Sequence, residues 1–170
     1  MSDYATATGN ILRIERKLPG PIERVWAYLV EPEKRELWFV GGAWDLRPGG
    51  VARVEFDHTK LSHEPTPEEW KSMDGATSNG TITRVDPLRL LAYRTDMGAG
   101  EVEITFELRP DGDEVILTLT QAPVSDEMNA SFGAGWHAFI DILEDRVRGV
   151  KPRGFWSNFD KLQGEYASRF

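Results

Sequence analysis

The chain has 170 residues, 20 basic and 28 acidic, for a formal charge of −8. That charge opposes adsorption to phosphate backbones and anionic lipid surfaces, so neither nucleic acid binding nor membrane insertion is expected. There is no cysteine, which excludes disulfides, a thiol nucleophile and a thiolate metal site. No secretion signal, linker or apolar run of roughly 18 residues interrupts the pattern, and a single cytoplasmic domain over 1–170 is expected.

In residues 11–17, Leu12 and Ile14 alternate with Arg13 and Glu15, which predicts the first strand. Pro21 is placed at the first position of a helix, where its fixed φ and missing N–H are tolerated, with Val25, Trp26 and Leu29 on one face. Pro32 opens a second short helix through Glu33, Lys34 and Arg35 to an apolar end at Leu37, Trp38 and Phe39. Gly49 and Gly50 then turn the chain into a strand over 51–57.

The long connection 57–78 contains a candidate short helix with Thr66 as its cap and Glu69 completing a capping box. Connections of this length are often lids or binding loops. A surface insertion pinned by Trp70 is the alternative. Over 102–108, Val102, Ile104, Phe106 and Leu108 share one strand face, and Glu103, Thr105 and Glu107 share the other. Pro110-Asp111-Gly112-Asp113 supplies a hairpin, after which Val115, Leu117 and Leu119 continue the apolar face. Gly98-Ala99-Gly100 is read as another turn between strands.

A sheet with one apolar face needs a cover. Met128, Phe132, Trp136, Phe139, Leu143 and Val147 form a helical stripe that predicts it over 125–147. Gly133 and Gly135 would each cost this helix about 1 kcal/mol relative to Ala, implying close approach of another backbone or room for a ligand. In the tail 154–170, Phe155, Phe159, Leu162, Tyr166 and Phe170 make a second stripe. It is expected to dock on the chain's own sheet or helix, with a homodimer contact as the alternative.

The amphipathic helix, the Trp-ended second helix, the glycine pair, Gly80-Thr81-Ile82-Thr83-Arg84-Val85-Asp86-Pro87 and Gly135-Trp136 together resemble the START-related (SRPBCC) hydrophobic-cavity superfamily. Within it they are similar to the branch of the activator of heat-shock protein 90 ATPase homologue, over nearly the whole chain. The resemblance implies an α+β helix-grip fold of the START and birch-pollen-allergen kind. A curved antiparallel sheet of six to seven strands would surround a long C-terminal helix, with two short helices after the first strand and a further helical extension at about 152–170. The superfamily includes lipid carriers, hormone-binding proteins, polyketide cyclases and chaperone regulators, so the fold does not select the activity. In the eukaryotic activator a separate N-terminal domain resembles the principal chaperone-docking unit, and these 170 residues have no counterpart. ATPase activation is therefore not expected.

No nucleophile elbow, phosphate loop or dinucleotide fingerprint is present. His58 and His63 lack the further ligands a zinc site needs, and neither a metal nor a cofactor is expected. Acid–base work by His58 or His137, with Asp57 or Glu55, is the arrangement an enzyme would require. The leading expectation is binding of a small hydrophobic or aromatic molecule between sheet and long helix. Its predicted walls are Trp38, Trp44, Phe56, Tyr93, Phe106, Phe132, Trp136 and Phe139, each an aromatic on an element facing that space. The alternatives are a chaperone-regulator-like module using the acidic face of Glu101, Glu103 and Glu107, and a cyclase-type enzyme.

Overall fold

The computed structural model describes residues 2–98 and 100–170; Ala99, inside one predicted glycine turn, lies outside them. Seven strands, β1 (Thr6–Thr8), β2 (Ile11–Pro19), β3 (Val51–Glu55), β4 (Thr77–Asp86), β5 (Leu90–Asp96), β6 (Glu101–Asp111) and β7 (Glu114–Ala122), form one sheet. Its order is β1-β2-β7-β6-β5-β4-β3, with every pairing antiparallel. Among the described residues there are four α-helices: α1 (Ile22–Val30), α2 (Pro32–Arg35), α3 (Asn129–Arg148) and α4 (Phe155–Ala167). Because β2 and β3 lie far apart in the sheet, α1 and α2 carry the chain from one side to the other. A register shift between Ile82 and Arg84 interrupts the β4–β5 ladder, and such irregularities bend a sheet. The architecture is the expected α+β helix-grip fold.

The alternation reads through into packing. Val102, Ile104, Phe106 and Leu108 of β6 are buried with Val115, Leu117 and Leu119 of β7 and Leu12, Ile14 and Leu18 of β2. Each such side chain contributes about 1.5–3 kcal/mol when fully buried. α3 lies on this face, with Trp136, Ile140, Leu143 and Val147 buried, and ends at Gly149 in the left-handed region (φ +73°).

Three local expectations differ. The predicted first strand is the second, since Thr6–Thr8 pairs on its outer edge. Pro21 stands just outside α1 with extended backbone, and the helix begins at Ile22. Pro32 does occupy the first turn of α2. The connection 57–78 carries a 3-10 turn, Glu68–Met73, without a side-chain cap. Thr66 Oγ1 instead donates to Asp74 at 2.6 Å. Trp70 packs on Trp156 and Phe159, with ring centroids 5.9 Å from each.

The tail docks on the chain itself. Phe155, Phe159, Leu162 and Tyr166 of the predicted stripe are buried, while Phe170 at its end is exposed. The entry to α4 is fastened by Arg153, whose Nε and Nη2 each donate to Asp145 at 2.9 Å. Asn158 Nδ2 donates to Asp141 at 2.8 Å, and Phe155 N to Ser62 Oγ at 2.9 Å.

Candidate functional site

Five of the eight predicted wall residues, Trp38, Trp44, Tyr93, Phe106 and Trp136, are buried together between sheet and α3. Their ring centroids run Trp44–Tyr93 4.6 Å, Tyr93–Phe106 6.5 Å, Phe106–Trp38 6.1 Å and Phe106–Trp136 6.2 Å. These rings fill the interior as packing partners. The N–H of each of these three tryptophans is used by the protein: Trp38 donates to Tyr28 O (2.7 Å), Trp44 to Arg53 O (2.9 Å) and Trp136 to Gln121 Oε1 (2.7 Å).

The other three, Phe56, Phe132 and Phe139, are half-buried. Phe139 touches Trp136 (6.0 Å) and Phe39 (5.2 Å), and Phe39 lies 4.9 Å from Trp136. Phe39, read in the sequence only as a helix end, thus links the interior to its rim. Phe56 joins through His58, whose ring is 6.3 Å from Phe56 and 6.4 Å from Phe139.

Phe132, Gly135 and Phe139 recur at helical spacing on one half-buried face of α3. The two glycines behind them differ in kind. A Cβ at Gly133 would stand 2.9 Å from Tyr166 Cε1, so that glycine admits a side chain of α4 rather than another backbone. A Cβ at Gly135 would meet nothing within 4 Å. Packing explains the first and leaves the second as open space between two phenylalanines.

Arg35, read only as part of the second short helix, is buried and closes the other end of the aromatic row. Its Nε donates to Val40 O (3.1 Å), Nη1 to Leu29 O (3.2 Å) and Nη2 to Gly42 O, and the guanidinium lies 3.9 Å over the Trp44 ring. Gly42 has φ +102°, and a Cβ there would strike Arg53 O. Burial lowers the Arg35 pKa to about 10 and raises that of the Tyr93 phenol. Near neutral pH the first stays charged and the second stays protonated.

The histidine partners differ from those expected. His58 Nδ1 lies 2.8 Å from Asp74 Oδ1, a residue sixteen positions away that no spacing rule would have paired with it. Asp57 caps a short turn through Thr59 N instead. Burial works to raise the Asp74 pKa, but hydrogen bonds from Thr66 and His58 outweigh it and hold it below the usual value. His137 is buried, with Nδ1 2.9 Å from Tyr166 Oη and Nε2 3.6 Å from Asp141. Among the described residues no group of three or more His, Asp or Glu side chains could hold a metal ion, and no helix is long and apolar enough to cross a membrane.

Two concavities lie elsewhere on the surface. One of about 250 Å³ is lined by Phe56 with Glu36, Glu55, Asp57 and Lys60. The other, of about 370 Å³, lies between the start of α1 and the β6–β7 hairpin, at Pro21, Ile22, Pro110 and Asp113. Neither is lined by a residue of α3.

A family model described as Activator of Hsp90 ATPase homolog 1-like protein matches residues 19–148. The solution structure of a Bordetella parapertussis protein, encoded by BPP1335, is similar at 32% identity and a TM-score of 0.82, covering 99% of this chain and 93% of that one. CalU16 from Micromonospora echinospora is similar at 23% identity and a TM-score of 0.69, covering 93% and 86%. DynU16, from the dynemicin biosynthetic locus, is similar at 21% and 0.66, covering 85% of this chain and 49% of that one. The last two likenesses concern the fold alone. No curated protein matches the chain.

Proposed function

We propose that this chain, which belongs to the family of Activator of Hsp90 ATPase homolog 1-like proteins, binds a small hydrophobic or aromatic molecule. The ligand enters between Phe132 and Phe139, over Gly135, against the aromatic row formed by Phe39, Trp136 and the residues behind them. Residues 1–170 act as one START-like unit in this reading, and the extension at 152–170 helps frame the site through Phe155, 5.1 Å from Phe139.

The open position at Gly135 carries the reading. A glycine inside a 20-residue helix costs roughly 1 kcal/mol relative to Ala, and at this position no neighbour requires it. Half-buried phenylalanines on either side supply the apolar walls a ligand site uses. The acidic sheet face supports the protein-binding alternative less well. Glu103 is engaged by Thr83 (2.8 Å) and Arg84 (3.2 Å), and Glu101 lies 3.6 Å from Arg94.

Thermal-shift titration of the full chain and its Gly135→Phe variant with naphthalene tests the site. A ligand at one hundred times its Kd adds about 2.7 kcal/mol, so the wild-type melting temperature should rise measurably. The variant, whose ring would occupy the opening, should not respond. Equal responses, or no response from either protein to any of a broad set of aromatic compounds, would reject the proposal.

A further inference from the structure

We infer that the molecule taken by this site carries a hydroxyl group, recognised by His58 and Trp156. This recognition rests on the ligand-binding reading above and names the chemistry of its polar end.

His58 stands in the half-buried row, stacked near Phe56 and Phe139 at interplanar angles of 17° and 27°. One ring nitrogen is fully committed. Asp74 Oδ1 lies 2.8 Å from His58 Nδ1 and accepts the His58 backbone N–H at 2.9 Å, while its Oδ2 accepts from Thr66 Oγ1 at 2.6 Å. A carboxylate serving three donors acts only as an acceptor, so in the neutral imidazole the proton sits on Nδ1 and Nε2 presents a lone pair. Among the described residues nothing donates to Nε2.

Trp156 supplies the opposite deficit. It is 6% exposed, its ring centroid lies 5.2 Å from that of His58, and among the described residues its buried indole N–H has no acceptor. Buried donors are nearly always paired in folded proteins. A free acceptor on one ring and an unmet buried donor on the other therefore sit side by side, within aromatic surroundings that include Phe155 and Trp70. A hydroxyl donates to the first and accepts from the second. A carbonyl or carboxylate would satisfy the indole but oppose the imidazole lone pair, and an ammonium would do the reverse.

The test compares naphthalene with 2-naphthol by calorimetric titration of the full chain. The hydroxyl should tighten binding about tenfold, the value of one net hydrogen bond of ~1.4 kcal/mol. His58→Phe and Trp156→Phe each retain an aromatic ring and should reduce that preference to twofold or less, each variant's affinity for 2-naphthol being read against its own affinity for naphthalene.

Equal affinity for naphthalene and 2-naphthol would overturn the hydroxyl recognition and leave aromatic binding standing. A preference for 2-naphthol that survives both aromatic substitutions would overturn it as well. Failure of both compounds to bind would remove the ligand-binding reading and this inference together.

Discussion

The ring of Tyr166 fills the space that a side chain at Gly133 would need, 2.9 Å from the position of its Cβ. Its hydroxyl accepts from Ala5 N at 2.6 Å and lies 2.9 Å from His137 Nδ1. One residue near the end of α4 thereby joins the N-terminal segment, α3 and α4.

The two glycines of α3 should respond oppositely to the same substitution. Gly135→Ala should stabilise the fold by about 0.5–1 kcal/mol, because alanine loses less backbone entropy and nothing obstructs its methyl. Gly133→Ala should destabilise it by about 1 kcal/mol, since overpacking of roughly 1–3 kcal/mol exceeds the propensity gain. Urea denaturation of the three proteins measures both, and a gain at both positions would contradict the close packing of Tyr166.

Removing only the hydroxyl of Tyr166 isolates its polar role. Tyr166→Phe leaves the Ala5 N–H and His137 Nδ1 without their partner, a loss of about 1–3 kcal/mol for a buried donor. Amide exchange at Ala5 should accelerate with it. Unchanged exchange would show that this bond does not fix the N-terminal segment.

Acid should weaken the same junction. Burial lowers the His137 pKa, with Asp141 opposing the shift in part, so the unfolded chain binds the proton more readily than the folded one. Stability from this group is present above the unfolded pKa of about 6.5 and is lost as pH falls through that value toward the folded one. The stability difference between wild type and His137→Gln, measured from pH 7.5 down to pH 5, should therefore shift in favour of the variant. A shift the other way would mean that the folded protein favours the imidazolium.

Arg35 should not tolerate lysine. The guanidinium serves carbonyls of Leu29, Val40 and Gly42 and stacks on Trp44, whereas an ammonium has neither the fork nor the plane. With charged hydrogen bonds at ~1.5–3 kcal/mol each, Arg35→Lys should cost on the order of 2–4 kcal/mol by chemical denaturation. A loss below 0.5 kcal/mol would place these bonds among the dispensable ones.

Alternation in β6 and β7, the proline at the start of α2 and the aromatic stripes of α3 and α4 are local patterns, and they identified the sheet, its cover and the docking tail. Burial acts on side chains according to their period along the chain, so such patterns survive without knowledge of the partners. Thr66 and Asp74 show the opposite case: a residue with the right chemistry for a helix cap turns instead toward a carboxylate eight positions on.

The sequence by itself determined the helix-grip architecture and named an aromatic set containing both the packed interior and its rim. Only the tertiary structure separated Trp38, Trp44, Tyr93, Phe106 and Trp136, which fill the interior, from Phe56, Phe132 and Phe139, which border it. It alone distinguished Gly133 from Gly135 and paired His58 with Asp74. The physical reason is range: hydrophobic periodicity is written along one segment, whereas free space and hydrogen-bond partners arise where distant segments meet.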